Sequence, residues 1–358
     1  NHVLGLAAHL LDQGHEAFVL APGARPSAWH PTLDAGRVSN AGMAVPLRYN
    51  GSVARVNFGP LSAARVRRWL SRNRFDLVHV HEPVTPSIAL LALWAAEQPV
   101  VATFHTATPR SRSMQLAGGM LRRVTEKLHA SIAVSETARL VVVQHLGRDA
   151  VVIPNGLRFA DYARTPPPAI GTDRRRLVFL GRADEPRKGL DVLLAALPAI
   201  RRAVPALEVV IAGQGARPLP SGCAGPGLVS EAEKIDLLGS ADVFVAPHRA
   251  RESFGIVVLE AMASGVPVVA ADLVPFVELL GPAVPGGPAA GTLFPSGNPE
   301  ALARSVIDVL RRPDPATTAL ARQRARRYDW SSVGAAVLAV YRATMTAAGA
   351  VPVRQDVG

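Results

Sequence analysis

The 358-residue chain has a single cysteine, Cys223, so neither a disulfide framework nor a cysteine-rich metal site can be built within it. An intracellular, reducing compartment fits that scarcity. Aromatic residues make up only 5%, which leaves an aliphatic core of the kind found in buried parallel sheets. Long apolar runs are missing: the richest stretch, Ile88 to Ala96, ends at Glu97, and no spanning helix is expected. Acidic residues are outnumbered, 28 Asp and Glu against 39 Lys and Arg, for a net charge of +11. That excess points to an anionic partner (nucleotide phosphate, nucleic acid or a membrane surface) or to a solvated basic surface. No aromatic stacking platform or recognition motif supports nucleic acid.

What is present suits a two-domain α/β protein. Hydrophobic residues make up 49% and charged residues 19%, enough for a sizeable core. Short apolar runs alternate with amphipathic stretches of about 10 to 15 residues. Candidate strands are Ala17–Leu20, Leu77–Val80, Val100–Phe104, Ser131–Val134 and Val151–Ile153 in the first half. Those of the second half are Leu177–Leu180, Leu207–Ala212, Val243–Ala246, Val266–Ala270 and Thr292–Phe294. The pattern breaks at Pro154-Asn155-Gly156, followed by the proline-rich Thr165-Pro166-Pro167-Pro168. We expect Rossmann-like domains over 1–155 and 156–330, with the binding site in a cleft between them. A C-terminal helix, 331–348, is expected to return to the first domain, opened by Tyr328-Asp329-Trp330-Ser331. The first helix, Leu4 to Gln13, starts with no strand before it, so a preceding strand is expected upstream of Asn1.

The sharpest constellation is Glu252-Ser253-Phe254-Gly255-Ile256 through Glu260, after a strand. A helix starting near Ser253 would aim free amides at an anion such as diphosphate, and Gly255 would allow close approach. Glu252 and Glu260, two turns apart, can accept hydrogen bonds from hydroxyls; the plainer alternative makes Glu252 a helix cap and Glu260 a surface residue. A second constellation, Gly181-Arg182 and Lys188-Gly189, puts two cations at a strand end, where they can neutralise a leaving diphosphate or be ordinary surface charge. In the first half, Arg65, Arg68 and Arg72 share one face of a helix over Leu61 to Arg72, with Arg67 beside them and Val66, Trp69 and Leu70 opposite. Such a helix lies on an anionic membrane or is merely solvated. His79, His81 and His105 fall near strand ends; no further ligand set stands at metal-site spacing, so no metal site and no tightly bound cofactor are expected, and the sequence leaves a divalent-metal requirement open. His105 reads equally as structural or catalytic.

Together Glu252 and Glu260, Gly181-Arg182 with Lys188-Gly189, and Pro154-Asn155-Gly156 resemble the retaining GT-B glycosyltransferases of family 4. The likeness covers nearly the whole chain. Tyr49-Asn50-Gly51-Ser52 and the basic helix are similar to the phosphatidylinositol α-mannosyltransferases of that family. The resemblance implies transfer of mannose from GDP-mannose to the inositol ring of phosphatidylinositol, with retention, by front-face attack at the inner face of the cell membrane. It assigns Arg182 and Lys188 to the diphosphate, Glu252 to mannose, Glu260 to the ribose, and Val229, Glu231 and Lys234 to guanine. Ser253, Phe254, Gly255 and Ile256 complete the implied donor site. His105 with Thr106 would border the reacting centre; Tyr49, Asn50, Ser52 and Arg55 would surround the inositol phosphate; Arg65, Arg67 and Arg68 would meet anionic lipid. His105, Arg182, Lys188 and Glu252 are then the catalytic set. Three departures stand out: the absent first strand and Gly-rich loop, Val84 in a polar position, and a short Arg217 to Leu228 segment. Alternatives are another family-4 donor, a soluble inositol phosphate acceptor, or a catalytically dead relative.

Overall fold

In the computed structural model the chain divides into two compact units: Asn1–Gly156 with Trp330–Gly358, and Leu157–Asp329. The structure describes residues 2–23, 33, 36–49, 52–106, 125–163, 174–215, 218–250 and 252–349; for 45–49 and 52–56 it describes the backbone alone.

The first unit opens with α1 (His2–Asp12), which leads into β1 (Val19–Ala21), paired in parallel with β2 (Val38–Asn40). An antiparallel hairpin follows, β3 (Val45–Tyr49) on β4 (Ser52–Val56), with Tyr49 opposite Ser52. Next come α2 (Pro60–Arg72), β5 (Val78–His81), α3 (Ile88–Ala95), β6 (Val100–Phe104), β7 (Ala130–Ala133), α4 (Glu136–Leu146) and β8 (Val151–Val152). Strands β5 to β8 form a parallel sheet in sequence order. Its helices carry local signals: the Ser87 and Ser135 side chains cap α3 and α4, and Gly147, at φ 64°, ends α4. The hairpin lies in a segment read from sequence only as a binding motif. Asn50-Gly51 between two β-rich runs is a two-residue hairpin signal in its own right.

The second unit contains α5 (Phe159–Tyr162), β9 (Arg175–Leu180), α6 (Leu190–Ala203), β10 (Leu207–Ala212), β11 (Cys223–Gly227), α7 (Glu231–Gly239), β12 (Val243–Ala246) and α8 (Ile256–Ser264). It continues through β13 (Val268–Ala271), α9 (Val274–Leu280), β14 (Thr292–Phe294), α10 (Pro299–Arg311) and α11 (Pro315–Ala325). Its six strands are all parallel, in the order β11-β10-β9-β12-β13-β14. This is the doubly wound Rossmann order, which reverses between β9 and β12, and ligands of such sheets bind beyond the strand ends at that reversal. Phe179, Leu193, Val209, Val243 and Leu302 are fully buried in an aliphatic core between sheet and helices.

One local expectation fails, and one strand has no signal in the sequence. The helix after β12 starts at Ile256, not Ser253, because Gly255 at φ 94° breaks the chain before it. The Cys-Ala-Gly-Pro-Gly segment forms β11; a proline is tolerated there because β11 is an edge strand.

The last helix, α12 (Trp330–Ala347), belongs to the first unit. Trp330, Val333, Val337 and Tyr341 join Leu6, Val101 and Ile132 in one buried cluster. A Cβ on Gly5 or on Gly156 would fall within 2.8 Å of the Trp330 indole, so both positions need glycine for this tryptophan to seat. No described helix is long and apolar enough to cross a membrane.

Candidate functional site

In the second unit, two loops meet at the sheet reversal. The loop after β9 carries Arg182 to Gly189, and the loop after β12 carries Pro247 to Gly255. They touch through backbone: Arg249 N–H donates to the Arg187 carbonyl at 2.9 Å, and Gly189, at φ 69°, packs so closely on the Pro247 carbonyl that no Cβ fits. This contact brings Lys188 Nζ within 3.0 Å of Glu252 Oε2, with Arg187 at 3.8 Å. His248, completely buried, places Nδ1 2.9 Å from the same oxygen. Burial alone would raise the Glu252 pKa; the His248 contact and the Lys188 charge prevail and hold it well below the usual carboxylate range. Glu252 is therefore an ion-paired anion four residues ahead of α8, not its cap. Arg182 Nε stands 3.5 Å from Asp184 Oδ1 without closing a hydrogen bond.

Ser253 is half-buried, and Phe254 is buried with its ring edge-on to Tyr328 at 5.7 Å. Gly255 needs its glycine twice over, since its φ is 94° and a Cβ would fall 2.7 Å from the Phe276 ring. Ile256 opens α8, and Glu260 lies one turn further along it. The surface-residue alternative fails for Glu260, which is only 6% exposed. It accepts from Lys234 Nζ at 2.6 Å and from the Tyr162 hydroxyl at 3.0 Å through the same oxygen, Oε1. Burial pushes the Glu260 pKa up against the Lys234 charge, while the carboxylates around Lys234 hold that ammonium protonated despite its own burial. Glu260 Oε2 is buried with no hydrogen-bond partner among the described residues. Val229 and Glu231 flank the start of α7, where Ser230 and Glu233 close a capping box, and Glu231 pairs with Lys234 at 2.8 Å.

In the first unit, parallel register builds a polar ladder on one sheet face. His79 pairs with Val101 and His81 with Thr103, so His79, His81, Thr103 and His105 project to the same side. His79 Nε2 meets the Thr103 hydroxyl at 2.7 Å and its Nδ1 meets the Tyr341 hydroxyl of α12 at 2.6 Å. His81 Nδ1 lies 3.0 Å from His105 Nε2. Glu82, the one non-glycine residue with positive φ among those described, turns its carboxylate back to accept from His105 N–H and from Thr106. Burial lowers His105 to about 4 and His79 to about 3, so these rings are neutral near pH 7. His2 of α1 sits against His81, His105 and Trp330.

Sequence reasoning singled out Glu252, Lys188, Glu260 and Lys234, and the fold pairs them two by two. It missed His248, Tyr162, Glu82 and His2. Only His248, four residues before Glu252, carried a local signal. Of the acceptor candidates, Asn50 lies outside the described residues, as do the side chains of Tyr49, Ser52 and Arg55. In the basic helix, Arg65, Arg67 and Arg68 are all exposed, and Arg65 also donates to the Ala41 carbonyl at 3.2 Å, which partly ties it down. Val66 and Leu70 are buried on the opposite face.

A six-stranded Rossmann sheet with an ion-paired glutamate at its reversal, in a chain that carries a second Rossmann-like unit, fits the class that comparison with known structures gives: a GT-B glycosyltransferase. The glycosyltransferase family 4 model matches residues 1–160, and the model of glycosyl transferases group 1 matches residues 174–312. The chain is 44% identical over 360 residues to a phosphatidyl-myo-inositol mannosyltransferase of Mycolicibacterium smegmatis, covering 98% of this chain and 90% of that one. It is 43% identical over 345 residues to the protein of that name from Propionibacterium freudenreichii, covering 95% and 90%. The chain belongs to the family-4 glycosyltransferases, in the group of the phosphatidyl-myo-inositol mannosyltransferases. Among solved structures, Anabaena HepE in complex with UDP and glucose superposes with a TM-score of 0.73 at 20% identity, covering 96% of each chain. Sucrose-phosphate synthase from Thermosynechococcus elongatus gives 0.68 at 18% identity, covering 97% and 93%. At those identities the likeness shows the fold alone.

Proposed function

We propose that this chain transfers mannose from GDP-mannose to the inositol ring of phosphatidylinositol, with retention of configuration. The observation that carries the reading is identity above 40%, over nearly the full length, to proteins named for that activity. The site chemistry supports it. Arg182 and Lys188 supply positive charge for the departing diphosphate. Glu252, ionised at neutral pH, accepts hydrogen bonds from mannose hydroxyls. Glu260 Oε2, buried and open to a donor, accepts from the ribose. Val229, Glu231 and Lys234 border the guanine, and Ser253 to Ile256 present backbone amides to phosphate. His105 and Thr106 act at the acceptor hydroxyl. A neutral His105 offers a lone pair there, as a proton acceptor or polar contact.

The acceptor reading extends to a peripheral position on the inner membrane face. In the same unit as Arg67 and Arg68, Met43 is 89% exposed and Leu61, on the same helix as both, is 76% exposed. With Phe58 and Arg65 they line an open groove. Apolar side chains among cations suit a headgroup boundary.

The donor assignment is tested by calorimetry with GDP. Lys188→Ala is expected to weaken GDP by roughly 1.5–3 kcal/mol, the value of a charge-assisted contact. Equal affinity for both forms removes Lys188 from the donor site. Preference for UDP over GDP makes the chain a family-4 enzyme with another donor.

A further inference from the structure

We infer that His2, His81 and His105 form a site for one divalent transition-metal ion of the Zn2+ class. Sequence spacing shows only the His79-Val80-His81 pair; folding adds His105 from the next strand and His2 from α1. One ring nitrogen of each of the three lies within 4.8 Å of those of the other two. His79, though stacked on His81, is not a ligand, because Tyr341 and Thr103 occupy both its nitrogens.

The remaining nitrogens suit a metal better than they suit each other. His2 Nδ1 is buried and has no hydrogen-bond partner among the described residues. His81 Nδ1 and His105 Nε2, at 3.0 Å, already stand close to the spacing of two ligands on one ion. Zn–N bonds of about 2.0–2.1 Å set ligand nitrogens about 3.3 Å apart in a tetrahedron, so His2 has to move inward by about 1–1.5 Å. Its place on the first turn of α1 allows this by side-chain rotation. The His81–His105 hydrogen bond means that one inward nitrogen carries a proton. On binding, that proton moves to the outward nitrogen of the same ring. The ring stays neutral, the freed lone pair forms the metal bond, and no co-reactant is needed.

Three imidazoles with an open fourth position select Zn2+, Co2+, Ni2+ or Cu2+ and reject Mg2+, which prefers oxygen ligands. The binding does not rest on the transfer reading. Its consequence does: an ion on His105 takes the lone pair proposed for the acceptor hydroxyl, so it acts as an inhibitor.

The test is calorimetry of the chelator-treated full chain with Zn2+, together with visible absorption of the Co2+ form. One ion per chain and a tetrahedral Co2+ spectrum are expected. His81→Gln should weaken Zn2+ by about 100-fold or more, since even loss of an outer-shell partner costs 10–100-fold. His129→Gln, at an exposed histidine elsewhere in the unit, should change nothing. If His81→Gln does not fold, His2→Gln on the helix carries the same expectation. Absence of stoichiometric binding, or equal affinity of wild type and the folded ligand variant, overturns the site.

Discussion

The two units bury most of their polar groups in different ways, with the buried His248 of the second unit as the exception. The second unit keeps its charges and pairs them: Glu252 with Lys188, Glu260 with Lys234, at 3.0 and 2.6 Å. The first unit keeps its polar groups but removes the charge: His2, His79, His81 and His105 are all shifted below the ordinary histidine pKa, with burial the largest cause. The difference fits the proposed division of labour. Held carboxylates and cations suit a site that grips a charged, hydroxyl-rich donor. Neutral imidazoles suit a site that must accept a proton or hydrogen bond from an acceptor hydroxyl.

The largest expected effect lies in the first unit. His105→Ala should lower turnover by about 10²–10⁴-fold, the range of a removed acid–base group, while GDP affinity stays near wild type. Glu252→Ala should also lower turnover, but should weaken the nucleotide sugar more than free GDP. If His105→Ala transfers mannose normally, the ladder is structural and the division of labour fails.

The next effect tests the paired charges. Lys234→Met leaves Glu260 buried with only Tyr162 as donor, and should cost roughly 3 kcal/mol of stability near pH 7. The sign with pH follows from Glu260, which is raised above its ordinary 4.5 even with Lys234 present. In the variant its folded pKa rises further, so the folded chain holds a proton that the unfolded chain has lost. The deficit should therefore grow as pH rises through the wild-type Glu260 pKa, itself above 4.5, and shrink on acidification. A deficit independent of pH between 5 and 8, read by urea unfolding, would mean that the pair is not what Lys234 contributes.

Acid should act in the opposite direction on the first unit. Below pH 6.5 the unfolded chain protonates histidines that the fold keeps neutral, so stability is lost as pH falls from 6.5 toward 4 for His105 and 3 for His79. Glu252, held below 4.5, costs the second unit nothing until pH drops under that value, so the loss there between pH 6.5 and 4.5 comes from His248 alone among the shifted histidines, against four in the first unit. By pH 5 His105 alone accounts for about 1–2 kcal/mol in the metal-free chain. All four tryptophans (Trp29, Trp69, Trp94 and Trp330) belong to the first unit, so their fluorescence reports it alone. Tryptophan emission that outlasts the far-ultraviolet dichroism on acidification would reverse the comparison.

The units also differ in how much the sequence discloses. The strands of the second unit are legible because buried parallel strands are short aliphatic runs between helices, as at Leu207–Ala212 and Val243–Ala246. Its edge strand β11 was hidden, since Cys-Ala-Gly-Pro-Gly has no β signature and is held by pairing with β10. In the site, the glutamates and Lys188 sit in local motifs and can be found by eye. Tyr162 meets Glu260 across 98 residues and Tyr341 meets His79 across 262, and no spacing rule reaches that far. The start of α8 lies three residues beyond Ser253 because Gly255 takes a left-handed φ, a requirement that a glycine's tolerance for close approach does not disclose.

The smallest effect concerns the outer face of the first unit, where charge is neither paired nor neutralised. Arg67 and Arg68 are exposed, and no ion pair to either occurs among the described residues. Arg65 is different, since its guanidinium is partly spent on the Ala41 carbonyl. Near an anionic surface each free charge is worth about 1 kcal/mol. Replacing Arg67 and Arg68 together by Ser should therefore weaken binding to phosphatidylinositol-containing vesicles by about 2 kcal/mol at low salt. Arg65→Ser should do less to binding and more to stability, because it also releases a carbonyl contact. Raising the salt should shrink the Arg67/Arg68 effect, since exposed charges are screened within about 10 Å at 0.1 M. Leu61→Ser should weaken binding at both salt concentrations, because an apolar contact is not screened. Unchanged co-sedimentation of the double variant at low salt would leave α2 a solvated helix, and the lipid-facing reading would lose its physical support.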